Sequence, residues 1–96
     1  LCYHVGNILS TDAFYKDEEN IPESQKSTAL WRKMGVMAVE MEAAALYLNA
    51  ARCGKQALAV CTISDHLLSG ERLSAEEREQ SFTDMMKLAL TTCEKL

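Results

Sequence analysis

Hydrophobic and polar positions along the chain fall into two repeating patterns, and these alternate. Tyr3 to Leu9 reads as a strand that ends at a turn, Ser10-Thr11-Asp12. Gly6 lies inside it and allows close backbone approach. A short apolar patch, Ala13-Phe14-Tyr15, precedes a charged run from Lys16 to Asn20 that reads as a solvated loop. Pro22 suits a first helical turn. Ser27, Leu30, Trp31 and Met34 then recur at i, i+3, i+4 and i+7, which is one helical face. Gly35 is a natural stop. Val36 to Met41 reads as a second strand. Glu42 to Cys53 follows as an Ala- and Leu-rich helix, apolar around most of its circumference and expected to be buried. After Gly54, Gln56 to Ile63 is an almost continuous apolar run, expected as a strand covered on both faces. Ser64-Asp65-His66 stands at its C-terminal end, and a loop with Gly70 follows. Ser74 and Glu77 have capping-box spacing. Phe82, Met85, Met86, Ala89, Cys93 and Leu96 then mark one face of a last helix.

The order is strand, helix, strand, helix, strand, helix. It predicts an α/β layered sandwich with mostly parallel strands and right-handed crossovers. The 96 residues, 48% hydrophobic and 25% charged, have ordinary globular composition and bound the answer to one domain or a piece of one. The chain begins at Leu1, directly in a strand-like run, and is expected to be a fragment. A net charge of −4 argues against a general nucleic-acid surface. No apolar run approaches the roughly 20 residues that span a bilayer. Cys2, Cys53, Cys61 and Cys93 form no Cys-x-x-Cys pair. Three of them sit in apolar patterns, which predicts buried free thiols and a reducing compartment. His4 and His66 lack ligand spacing, so no metal site is expected.

Chemistry gathers at strand ends and helix starts. Glu40 and Glu42 flank Met41 where an apolar strand passes into a helix, the position at which open α/β sheets hold ligands. Ser64 and Asp65 close the next strand, and in a parallel sheet both ends lie on one edge. Arg78 is in the first turns of the last helix. Two carboxylates and an arginine converging there suit a substrate with hydroxyls to grip and a leaving group to protonate. The residue types alone leave other roles open. Glu40 also fits a solvated strand end, Glu42 a helix N-terminus, Asp65 a turn and Arg78 a charged surface. A hydrolase relay from Ser64, Asp65 and His66 fails, because adjacent residues cannot build that geometry and no Gly-x-Ser-x-Gly elbow occurs. No Gly-x-Gly-x-x-Gly or Walker pattern occurs either.

Four segments carry a resemblance: Val5-Gly6-Asn7-Ile8-Leu9-Ser10-Thr11-Asp12 with Phe14-Tyr15, Val39-Glu40-Met41-Glu42-Ala43-Ala44, Thr62-Ile63-Ser64-Asp65-His66, and Ala75-Glu76-Glu77-Arg78. In this order and spacing the chain resembles the C-terminal part of the bacterial-type, hexameric purine nucleoside phosphorylases of the nucleoside phosphorylase-I superfamily. The resemblance implies a three-layer α/β/α sandwich with a mixed, mostly parallel sheet. It implies phosphorolysis of purine (deoxy)ribonucleosides to free base and (deoxy)ribose 1-phosphate, a pentosyl transfer in cytoplasmic purine salvage. Phosphate is then a co-substrate and no cofactor is used. Glu42 matches the carboxylate that holds the ribose 2′- and 3′-hydroxyls, and Met41 the residue against the sugar. Val39 and Glu40 line the base region, partly through main chain. Asp65 matches the general acid for purine N7, which needs a carboxyl that keeps its proton, as a desolvated strand end allows. Ser64 helps hold the base edge, and Arg78 pairs with the aspartate. Leu9 stands where some relatives place an aromatic, so an apolar wall remains without ring stacking.

By the same resemblance, the phosphate loop, the phosphate-binding arginines and a histidine lent by a neighbouring subunit belong to an N-terminal half outside these residues. The 96 residues alone are therefore expected to be inactive and marginally folded. A methylthioadenosine/adenosylhomocysteine nucleosidase is the close alternative. Those enzymes use water, usually have Gly where this chain has Ala43, and lack an arginine placed like Arg78. Uridine phosphorylase fits less well, since a pyrimidine has no use for the Asp65 acid. A non-catalytic remnant that only associates with full subunits is the alternative of a different class.

Overall fold

The computed structural model describes residues 2–13 and 18–96. Phe14, Tyr15 and the first part of the expected charged loop lie outside them. Helices and a small parallel sheet make up the chain, which is α/β as expected. It divides into two units, Tyr3–Leu58 and, with Cys2, Ala59–Leu96.

The first unit contains β1 (Asn7–Ser10), a 3-10 turn (Glu23–Gln25), α1 (Ser27–Lys33), β2 (Val36–Glu40) and α2 (Ala43–Arg52). Strands β1 and β2 pair in parallel, with Ile8 opposite Ala38, Leu9 opposite Val39 and Ser10 opposite Glu40. The connection between them carries α1, as a parallel pair requires. The register shifts between Asn7 and Ile8, and β1 starts four residues later than the apolar pattern suggested. Gly6 lies just before that shift. A Cβ there would meet the flexible Met37 side chain, which would have to shift to admit it.

The single helix expected after Pro22 is two pieces. Lys26 takes an extended conformation (φ −65°, ψ 148°), which ends the 3-10 turn and opens α1. The Ser27 amide donates to both carboxylate oxygens of Glu18, at 3.2 and 3.3 Å, so a distant loop residue supplies the anionic cap that Lys26 cannot. Helix α2 forms where its alanines and leucines place it, but only its first residue, Ala43, is buried. The expected all-round burial of this helix is corrected, because Leu46, Tyr47 and Leu48 are exposed.

The second unit contains α3 (Ala75–Glu94) and the stretch that leads to it. The capping box is complete: the Glu77 amide donates to Ser74 Oγ, and the Ser74 amide donates to Glu77 Oε1, both at 3.1 Å. The half-buried positions of α3 are Ser81, Asp84, Met85, Leu88, Ala89 and Thr92. The buried face is thus rotated from the apolar stripe, and Phe82 and Met86 stay exposed.

The third strand, expected over Gln56 to Ile63, is not formed. No strand among the described residues pairs with this run, so no ladder forms over it. It is anchored instead by the Thr62 hydroxyl, which donates to the Ser81 carbonyl on α3 at 3.4 Å. All four cysteines are free, as expected, but all are exposed rather than buried.

Candidate active site

In the first unit the sheet sets the site. Leu9 and Val39 are register partners, which places two of the expected base-side residues together at the C-terminal half of the strand pair. One residue further on, Ser10 and Glu40 face each other at the strand ends. The chain then turns through Met41 and Glu42 into α2. Met41 is 45% exposed, and Glu42 is the exposed N-cap residue. A helix start leaves amides without intrahelical partners. Here Glu40 Oε2 accepts from the amides of Glu42 (2.6 Å) and Ala43 (2.7 Å), and Ser10 Oγ accepts from that of Ala44 (3.0 Å). The Glu42 side chain makes no cap bond and, among the described residues, accepts one long bond, from the Met41 amide at 3.3 Å.

Electrostatics follow from these bonds. The Glu42 amide, helped by the Ala43 amide, the Ser10 hydroxyl and the Met41 amide, holds the Glu40 carboxyl below its ordinary value of 4.5, against the opposing effect of burial. The Ser74 amide and hydroxyl lower Glu77 in the same way on α3. A carboxyl lowered in the folded state binds fewer protons there than when unfolded. Its stabilising effect is therefore complete above 4.5 and is lost as pH falls through the folded value. Helix content followed by circular dichroism should hold steady down to about that pH and decline below it. Replacing both residues by glutamine should flatten the decline; an unchanged slope would contradict the sign.

In the second unit a tight loop builds the other cluster. Asp65 and Arg72 form an antiparallel bridge. The Leu73 amide donates to the Ser64 carbonyl and the His66 amide to the Glu71 carbonyl, both at 2.8 Å. His66 Nδ1 accepts from the Ser69 amide at 3.1 Å, so this histidine pins the turn. Gly70 has φ +75°, a left-handed value that suits glycine. The loop thus folds onto itself. Ser64 Oγ donates to Asp65 Oδ2 at 3.0 Å, and Arg72 Nε lies 3.7 Å from Asp65 Oδ1.

The arginine beside Asp65 is therefore Arg72, and no ion pair joins Asp65 to Arg78 among the described residues. Arg78 lies on the first turn of α3, where it lines a shallow hollow with Ala75, Glu79 and Phe82. Asp65 sits on a loop rather than at a strand end, and its side chain is 55% exposed. The described residues do not supply the desolvation expected for it. Two contributors escaped the sequence reading. Ser10 was legible as the register partner of Glu40 once the strands were aligned. Arg72 gave no signal, since its pairing depends on the loop closing.

A carboxylate freed at a helix start, beside an exposed methionine and an apolar strand pair, is a place to hold a polar substrate edge. The sequence pattern of the phosphorylase superfamily matches residues 2–96. The chain belongs to the phosphorylase superfamily. Among superfamily members it is 54% identical over 88 residues to the purine nucleoside phosphorylase DeoD-type of Hahella chejuensis, covering 92% of this chain and 35% of that protein. It is 56% identical over 86 residues to the protein of that name from Caldanaerobacter subterraneus, covering 90% and 34%. For that of Thermoanaerobacter sp. the figures are 51% over 90 residues, covering 94% and 36%. The chain thus spans about a third of the length of these superfamily relatives. Among the described residues no helix is long and apolar enough to cross a membrane.

Proposed function

We propose that this chain supplies the ribose- and base-binding part of a purine nucleoside phosphorylase, as the C-terminal portion of one phosphorylase domain. The observation that carries the reading is the Glu42 carboxylate, left outside the helix cap and beside Met41, in a chain about half identical to proteins of that name. Glu42 accepts hydrogen bonds from the ribose 2′- and 3′-hydroxyls. Charge-assisted bonds there orient the sugar and favour the positive charge that develops at its anomeric carbon. Met41 packs on the sugar. Leu9, Val39 and Glu40 line the base region, the last two partly through main chain. Asp65, with Ser64 beside it, protonates purine N7, so that the base leaves neutral. Arg78 assists that proton delivery. The exposed contact of Asp65 with Arg72 at 3.7 Å contributes little and does not oppose an exchange of arginines.

The complete enzyme is a three-layer α/β/α sandwich with a mixed sheet, a cytoplasmic homohexamer of purine salvage that uses phosphate as co-substrate and no cofactor. These features follow from the family resemblance. The phosphate-binding groups belong to the part of the fold outside these 96 residues, so the isolated chain is inactive. The test is cleavage of adenosine and inosine by a complete subunit carrying this sequence, with and without phosphate. Ribose 1-phosphate formed only with phosphate is the expected product. Free ribose formed without phosphate would assign a nucleosidase, and the role of Arg78 would fall first.

A further inference from the structure

We propose that Ser10 and Glu40 are positioning residues for Glu42: they cap α2 in its place and so keep its carboxylate available to the substrate. The inference rests on the reading of Glu42 as the hydroxyl clamp. A Ser, Thr, Asp or Asn at a helix N-cap turns its own side chain onto the first free amides. Glu42 holds the N-cap position and does not. The amides of Glu42, Ala43 and Ala44 are instead taken by Glu40 and Ser10, at 2.6, 2.7 and 3.0 Å. Both donor-seeking groups come from the ends of the paired strands, where Ser10 and Glu40 are register partners. The cap is thus anchored to the sheet rather than to the turn that it serves.

A second observation concerns the other oxygen of Glu40. Oε1 is buried and has no hydrogen-bond partner among the described residues, while Oε2 accepts both amides. An isolated buried acceptor is unfavourable and calls for an explanation. From the end of β2 the Glu40 carboxylate reaches the Glu42 and Ala43 amides together. That grip sets where the Glu42 main chain, and hence its carboxylate, is presented. Misplacement of a binding group by about 1 Å costs on the order of 100-fold in rate.

The experiment is a double-mutant cycle in a complete phosphorylase subunit carrying this sequence, with inosine and with 2′,3′-dideoxyinosine. Glu40→Ala should lower kcat/KM for inosine on the order of 10- to 100-fold. The loss should be much smaller for the dideoxy substrate, which offers Glu42 nothing to hold. In a Glu42→Ala background the further loss from Glu40→Ala should vanish. Glu40→Gln, which keeps an acceptor oxygen, should restore most of the inosine activity, and Ser10→Ala should give a weaker version of the same substrate-dependent loss. An equal Glu40→Ala loss on both substrates, or the same loss with and without Glu42, would overturn the positioning role. If Glu40→Ala fails to fold, Ser10→Ala carries the same comparison. No effect of Glu42→Ala itself would instead remove the clamp reading on which the inference rests.

Discussion

In a complete subunit carrying this sequence, Asp65→Asn should reduce kcat for inosine and adenosine by about 100- to 10,000-fold, the range supplied by a positioned general acid. Asparagine keeps the shape of the side chain and a hydrogen-bond donor but cannot hand over a proton. The loop should survive the change. Its bridge to Arg72 and the flanking bonds, Leu73 amide to Ser64 carbonyl and His66 amide to Glu71 carbonyl, are backbone interactions. The lost rate would then be lost chemistry, which thermal melting of the variant checks directly. A nucleoside whose base is already a good leaving group should suffer far less, because its departure does not wait for protonation at N7. Equal losses on both kinds of substrate would count against the acid role.

Glu42→Ala should be the second large effect. Removing a charged partner of the ribose hydroxyls costs about 2–4 kcal/mol of transition-state binding, or roughly 30- to 900-fold in kcat/KM for inosine. Little of this should come from unfolding, because the Glu42 side chain makes no cap bond at the start of α2. Steady-state kinetics with inosine, paired with a thermal melt, separates the two contributions. An unchanged rate with inosine would reject the clamp.

What could be read from the chain in advance was what depends on neighbours in sequence. The box formed by Ser74 and Glu77 is two residue types at one spacing, and its bonds are where that spacing puts them. The parallel pairing of β1 and β2 was legible from two apolar runs with a helical stretch between them. The strand expected over Gln56 to Ile63 failed for a different reason. A strand is a relation between segments, and its composition says nothing about which partner is at hand. Asp65 followed from that error, being placed at a strand end when it belongs to a closed loop. Glu40 gave a signal that was read as a base-side residue or a solvated strand end, not as a helix cap. It stands three residues before Ala43, which is cap spacing, and the structure turns its carboxylate onto the helix. The pairing of Asp65 with Arg72 was out of reach, since only the folded loop brings them together.

The uncovered leucines and methionines have a meaning for the life of the molecule in a cell. Leu46 and Leu48 on α2, and Met86 and Leu90 on α3, present the sort of greasy helix that chaperones and proteases survey. As long as those faces stay open, abundance is governed by a race between their being covered and their being degraded. Substitutions that alter that race would change how much protein is present before they change anything it does.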